Sequence, residues 1–310
     1  MAKILKSLTR PLADVNVLPQ KDGTHEIVVC FMPDPEMLVG EGNSKACLAL
    51  DASLSLKKMY GGQMGPFSTN EPNYVEAVAQ GLGRILCAAT KSGKVNGVYW
   101  AVSQDGSKIE DFGTYDESGW GSVKISGPQK EKWGRGTRIL PVIKHCVENV
   151  GKGSDLTFGV IITDGIIEDE QDATTYCLTV GKEMATGKRK PVKLILIGIG
   201  EEVDEGQLER FDDMFEGSGI DYDLWSHGMV ASMKDEADIM GVLYGELIDE
   251  DTPITSSGGR VEDSKGRELI AWADGMPGKF RFILPKGEKK FFIRTPNQDI
   301  EQDCSEVIKP

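Results

Sequence analysis

Apolar runs alternate with helical patterns along the middle of the chain, from about residue 45 to residue 249. The runs ACLAL, NGVYWAVS, LTFGVIITD and PVKLILIGIG predict buried strands, and KIEDFGTY and DLWSHGMV predict two more. LTFGVIITD is apolar on both faces, which is typical of the centre of a parallel sheet. The pattern therefore predicts an α/β fold with a doubly wound, mostly parallel sheet flanked by helices.

Helical spacing of apolar residues appears in the segments between and after these strands. Val75, Val78 and Leu82 recur in this way in the first segment. Gly134 and Gly136 predict a flexible loop before the second helix. The predicted helices are YVEAVAQGLGRILCAA, ILPVIKHCVENV, QDATTYCLTVGKEMA, GQLERFDDMF and a closing ADIMGVLYGELID.

The two ends of the chain have strand patterns instead. HEIVVCFMP lies near the N-terminus, and RELIAWAD, KFRFILP and KKFFIRT lie near the C-terminus, separated by DGMPG and PKGE turns. Three strands alone would make a marginal module. We therefore expect residues 1–43 and 251–310 to combine into one small β-rich module, into which an α/β domain of residues 44–250 is inserted. The tail NQDIEQDCSEVIKP is expected to be loosely ordered.

Composition narrows the classes of function. The net charge of −14 over 310 residues argues against nucleic acid and anionic membrane surfaces as partners. The N-terminus does not have the pattern of a signal peptide, and no segment reaches the ~18 consecutive apolar residues of a membrane helix. The six cysteines are dispersed without a CxxC pair and predict small core residues rather than disulfides. These features predict a cytoplasmic protein without membrane insertion.

Oxygen-bearing side chains occur where predicted strands give way to loops. Asp51, Ser53 and Ser55 lie in ALDASLSLK, Thr137 in GRGTRILP, and Asp164 in GVIITDGIIED. The carboxyl ends of parallel strands share one edge of a sheet, where ligands gather. Two carboxylates and three hydroxyls form a plausible ligand set for one hard divalent cation, Mg²⁺ or Mn²⁺, rather than for zinc.

DASLS, the later Gly136-Thr137 and IITDG resemble the metal-ion-dependent adhesion site (MIDAS) of von Willebrand factor type A (vWA) domains. The resemblance covers about two-thirds of the chain, and GVIITDGIIEDEQDAT is similar to intracellular members such as copines and bacterial tellurite-resistance-associated proteins. It implies a metal site, with the serines and the threonine as direct ligands, and no catalysis. The site residues are Asp51, Ser53, Ser55, Thr137 and Asp164.

The function expected from this resemblance is a non-enzymatic adaptor. Its Mg²⁺ or Mn²⁺ would keep an open position for an Asp or Glu of a partner protein. A role in bacterial stress or tellurite-resistance signalling, and an ATPase or kinase as partner, rest on family analogy alone.

Structural explanations of these residues and two other classes of function remain open. Asp51 and Ser53 could instead cap the helix that follows, which would explain them but not Thr137 and Asp164. Glu168, Asp169 and Glu170 could be extra ligands, although acidic residues there are more typical of the start of the helix near Asp172. A metal-dependent phosphatase or phosphotransferase is one rival function, although the residue two positions after Asp51 is a serine rather than a general acid. A metal-independent scaffold is the other.

Overall fold

The computed structural model describes residues 3–5, 8–9, 11–31, 43–61, 72–200, 202–220, 222, 224–230, 239, 243, 258–296 and 298–309. The chain forms two compact units. One comprises residues 39–239, and the other comprises residues 1–38 together with 240–310.

A six-stranded mixed sheet forms the centre of the unit of residues 39–239. Its strands follow the spatial order β6-β5-β4-β7-β8-β9, with β5, β4, β7, β8 and β9 parallel and β6 antiparallel to β5. The central strands β4, β7 and β8 are almost wholly buried, because both of their faces carry apolar side chains. The strands are β4 (Ser44–Asp51), β5 (Lys94–Val102), β6 (Lys108–Asp116), β7 (Leu156–Thr163), β8 (Val192–Ile199) and β9 (Trp225–Val230).

Helices connect these strands and bury one face each. The first begins after Asn73, whose side chain accepts a hydrogen bond from the backbone N–H of Glu76 at 2.9 Å. The third continues directly into a π-helical turn, His145–Val150. The helices are α1 (Tyr74–Ala88), α2 (Glu117–Trp120), α3 (Leu140–Lys144), α4 (Glu170–Ala185) and α5 (Glu205–Asp212), with short 3₁₀ turns at Leu56–Met59 and Asp213–Phe215.

Two antiparallel four-stranded sheets make up the other unit. One has the order β1-β2-β3-β12 and the other β11-β10-β13-β14. In β12 alternate residues are buried, and Phe282 of this strand contacts Phe291 edge-on with ring centroids 5.1 Å apart. The strands are β1 (Lys3–Ile4), β2 (Leu12–Pro19), β3 (His25–Phe31), β10 (Gly259–Asp263), β11 (Glu268–Trp272), β12 (Lys279–Leu284), β13 (Lys290–Arg294) and β14 (Asp299–Asp303).

The predicted fold class, a doubly wound α/β sheet with a small β module, is wrong for this chain. Two of the three sheets are fully antiparallel, and the third is mixed. The physical reason is the shortness of many connections: β2 to β3, β5 to β6, β10 to β11 and β13 to β14 are each joined by a few residues, which permit only an antiparallel return. The chain is consequently rich in strands.

Two sequence-based predictions concern the later part of the chain, a loosely ordered tail and a closing helix. The tail expected to be loose forms β14, which pairs with β13 over Asp299–Asp303. The closing helix predicted for ADIMGVLYGELID lies outside the described residues, except for Ile239 and Leu243. Within the described parts of the chain, no helix is long and apolar enough to cross a membrane.

Candidate metal centre

Asp51 is the last residue of β4 and is fully buried. Its Oδ1 accepts a hydrogen bond from the backbone N–H of Ser53 at 2.7 Å, and its Oδ2 accepts one from the hydroxyl of Thr163 at 3.0 Å. Thr163 ends the neighbouring strand β7. The carboxylate is therefore tied to the turn that follows it and to the end of the adjacent strand.

Ser53 and Ser55 lie in the turn after β4 and face Asp164, which directly follows β7. The Ser55 hydroxyl donates to Asp164 Oδ1 at 2.9 Å, and the Ser53 hydroxyl lies 3.3 Å from the same oxygen. The two serine oxygens are 2.9 Å apart. Ser53 is buried, whereas Ser55 is exposed, so this group of three oxygens opens to solvent at Ser55.

Thr137 lies beside this group without a hydrogen bond to it. Its hydroxyl oxygen is 3.4 Å from the point that a Cβ on Gly165 would occupy, and Gly165 is the residue after Asp164. Its backbone carbonyl accepts a hydrogen bond from the N–H of Glu168 at 2.9 Å. The structure thus links Asp51, Ser53, Ser55 and Asp164 through hydrogen bonds, and places Thr137 next to them.

Glycines hold the loop of Thr137 by close packing. A Cβ on Gly134 would overlap the carbonyl oxygen of Ala101, and one on Gly106 would overlap the carbonyl oxygen of Gly136. Gly134 also exchanges backbone hydrogen bonds with the turn after β4: its N–H donates to Ala52 at 3.1 Å and its carbonyl accepts from Leu54 at 2.8 Å. The expected flexible loop is instead fixed against its neighbours, because glycine allows the backbones to approach.

The two carboxyl groups of the site interact unfavourably. Burial, with the nearby charge of Asp164, raises the pKa of Asp51 to about 7. Burial also raises the pKa of Asp164, although hydrogen bonds from Ser55 and Ser53 oppose the shift. Among the residues that the structure describes, neither carboxyl group forms an ion pair with a lysine, arginine or histidine. The site therefore lacks a compensating positive charge within that part of the chain.

The donor set fits a small hard cation. Neighbouring ligands of an octahedral Mg²⁺ at ~2.1 Å lie about 3 Å apart, and the oxygens of Ser53, Ser55 and Asp164 are separated by 2.9 to 3.3 Å. No cluster of three or more His, Cys, Asp or Glu side chains occurs in the described ranges. A cation here would consequently depend on hydroxyl oxygens beside the carboxylates, and not on a site of the thiolate or imidazole type.

Sequence reasoning missed two groups that shape this edge of the sheet, one buried and one half-buried. Thr163, the donor to Asp51, resembled an ordinary strand residue. Asp169 was expected to open its own helix, yet its two oxygens accept hydrogen bonds from the backbone of Ile139 and Leu140, at 2.7 and 3.0 Å. The only signal for either contact is proximity in the chain to Asp164, because both partners lie far away in sequence.

Other candidate residues have structural roles. His145 Nε2 lies 2.7 Å from Asn96 Oδ1 in a buried polar cluster. Glu170 pairs with Arg210 at 2.7 Å. Trp133, for which a partner contact and a packed anchor were both open, is half-buried and packs edge-on against Tyr60 with ring centroids 5.0 Å apart.

Comparisons with known proteins give weak structural likeness. No family model and no curated protein matches this sequence. The pilus adhesin SpaC from Lactobacillus rhamnosus GG matches with 8% identity over 97% of this chain and a TM-score of 0.45, and this chain spans 48% of SpaC. The PilB minor pilin from Streptococcus sanguinis matches with 10% identity over 75% of this chain and 77% of its own, with a TM-score of 0.41. The D319A mutant of the same minor pilin matches with 8% identity over 78% of this chain and 80% of its own, with a TM-score of 0.44.

The expected membership of the vWA family is wrong by these comparisons. The matching structures bear the names of a pilus adhesin and a minor pilin, and no family model supports the resemblance. The function drawn from it, a MIDAS-bearing adaptor in stress or tellurite-resistance signalling, is wrong with it. The physical reason is that the motifs consist of a few residues at one edge of the sheet. They specify the chemistry of that edge, but not the packing of a whole chain.

Proposed function

We propose that the unit of residues 39–239 binds one divalent cation, Mg²⁺ or Mn²⁺, at the edge of the sheet where β4 and β7 end. Asp164, Ser53 and Ser55 would hold the ion, with Thr137 beside them. The observation that carries this proposal is the separation of the three oxygens by 2.9 to 3.3 Å, which matches neighbouring ligands of an octahedral ion. The ion would supply the positive charge that the two carboxylates need.

Asp51 has a different part in this proposal. Both of its oxygens already accept hydrogen bonds, from Ser53 and Thr163, and the side chain is fully buried. Its negative charge would balance the charge of the ion without direct contact with it. The same burial argues against Asp51 as the nucleophile of a phosphotransferase, which needs access to its substrate. We therefore propose binding without catalysis.

Mn²⁺ titration followed by electron paramagnetic resonance tests the proposal. Ser55→Ala should weaken Mn²⁺ binding at least about tenfold, because it removes a ligand oxygen. Ser118→Ala is the matched control, since the Ser118 hydroxyl also donates to an aspartate, Asp116, at 2.9 Å but away from the site. A wild-type chain that leaves free Mn²⁺ unchanged at millimolar concentration would refute the proposal.

Two further expectations stay predictions alongside it. One is a protein partner that presents an Asp or Glu to the ion. The other is a cytoplasmic location, which all six cysteines support, because each is a free, buried thiol. Neither is required for cation binding.

A further inference from the structure

Residues 168–169 bind the segment that carries Thr137 through three hydrogen bonds. The Glu168 N–H donates to the carbonyl of Thr137 at 2.9 Å. The Asp169 carboxylate accepts from the N–H groups of Ile139 at 2.7 Å and Leu140 at 3.0 Å. The same loop carries Asp164 five residues before Asp169. These bonds therefore join the loop of one expected ligand to the loop of another.

The beginning of α3 explains why a carboxylate is found there. The first backbone N–H groups of a helix have no partner within the helix. Pro141 has no N–H, so Ile139 and Leu140 carry donors that need outside acceptors, and Asp169 accepts from both of them. A negative charge at a helix N-terminus is also favourable to the helix dipole. The contact is thus well placed to fix the position of the residues just before α3.

We propose that Asp169 is a positioning residue for the cation site and acts through Thr137. This inference rests on the proposed cation binding. Asp169 itself is not proposed as a ligand: its two oxygens accept hydrogen bonds from the backbone of the α3 terminus. It holds the segment of Thr137 against the loop that carries Asp164. Without it, the residues just before α3 keep the bond from Glu168, while the hydrogen bonds of Gly134 hold the earlier part of the loop.

A double-mutant cycle on Mn²⁺ affinity tests this role. Asp169→Asn and Thr137→Ala should each weaken Mn²⁺ binding by about tenfold, as the loss of a group that supports the ligands of a metal ion does. If Asp169 acts through Thr137, the double variant should bind Mn²⁺ with the same affinity as the single variant that binds it less tightly. Asp172→Asn, an exposed aspartate three residues further on, removes the same charge and should leave the affinity unchanged.

The outcomes separate the two proposals. A wild-type chain that binds no Mn²⁺ overturns cation binding and this inference with it. A wild-type chain that binds, with Asp169→Asn unchanged or with losses that multiply in the double variant, overturns the positioning role alone. Asp169→Ser, like Asp169→Asn, retains one acceptor for the helix terminus but on a shorter side chain, and should weaken Mn²⁺ binding at least as much. If Asp169→Asn does not fold, affinity in Asp169→Ser must still fall, or the inference is wrong.

Discussion

The hydroxyl of Thr163 donates a hydrogen bond to the carboxylate of Asp51, 3.0 Å away, at the ends of the neighbouring strands β7 and β4. Both side chains are fully buried. This bond acts together with the hydrogen bonding of Ser53 to stabilise the charged form of Asp51 against burial and against the charge of Asp164. The carboxylate thus depends on a strand residue that has no metal-ligand signature of its own.

Thr163→Val should destabilise the folded chain by about 1–3 kcal/mol, because it leaves a buried acceptor without its donor at nearly constant volume. The loss should be larger at pH 8, where Asp51 is ionised, than at pH 5. Urea unfolding in EDTA at both pH values measures it. Thr157→Val, in the same strand, is the control and should give a pH-independent loss. Equal losses at both pH values for Thr163→Val would contradict the assigned contact.

The free energy of unfolding should fall with pH in the metal-free protein. The pKa of Asp51 is about 7 in the folded chain, against roughly 4 for an unperturbed aspartate. The folded state therefore retains a proton that the unfolded state releases. The stabilisation is full below about pH 4, is lost as pH rises to about 7, and amounts to at most about 4 kcal/mol. The raised pKa of Asp164 acts in the same direction.

Asp51→Asn should remove most of this pH dependence, since the amide does not titrate. Urea unfolding in EDTA between pH 4 and 8, with the difference between wild type and variant plotted against pH, isolates the contribution of this one group. Parallel curves for the two proteins would show that Asp51 titrates normally in the folded chain.

Glu110 offers a test of the loop that leads to Thr137. Its carboxylate accepts hydrogen bonds from three successive backbone N–H groups, those of residues 129–131, each at 2.8 Å. Burial alone would raise the pKa of Glu110, but these donors outweigh it and lower the pKa below its usual value. Glu110→Gln should therefore cost about 1–3 kcal/mol and speed hydrogen exchange at residues 129–131.

Glu131→Gln is the matched control for that variant. The Glu131 side chain pairs with Lys108 at 3.0 Å near the surface, where such pairs contribute little. It should leave both stability and exchange nearly unchanged. Slow exchange at residues 129–131 in Glu110→Gln would show that the carboxylate is not what orders this loop.

Local patterns were sufficient for the buried strands of the sheet. ACLAL lies in β4 and LTFGVIIT forms β7, because short apolar runs bounded by turn signals favour buried strands. The residues Asp51 and Asp164 could be placed at one edge from the parallel order of those strands alone. This part of the architecture is encoded within short windows of sequence.

Contacts between distant segments could not be predicted in the same way. The strand β2 has a mixed pattern after Pro11 and was missed, since it is defined by its pairing with β3. β14 was missed for the same reason, as alternate charged residues of DIEQD resemble a solvated tail. Asp169 satisfies a helix terminus about 30 residues earlier, and no local rule points there. The family expectation failed similarly, because it extended a few site residues to the whole chain.

The pairing of β3 with β12 has a consequence for the order in which the chain acquires its structure. Ile27 faces Phe282 across this ladder, so β3 cannot complete its pairing until β12, much later in the chain, has been synthesised. Until then β3 lacks one of its two neighbours and exposes an unpaired edge. The segments of residues 39–239 are all synthesised in between and can fold first. A nascent chain halted before residue 279 would therefore carry an open strand edge, available to chaperones and to aggregation.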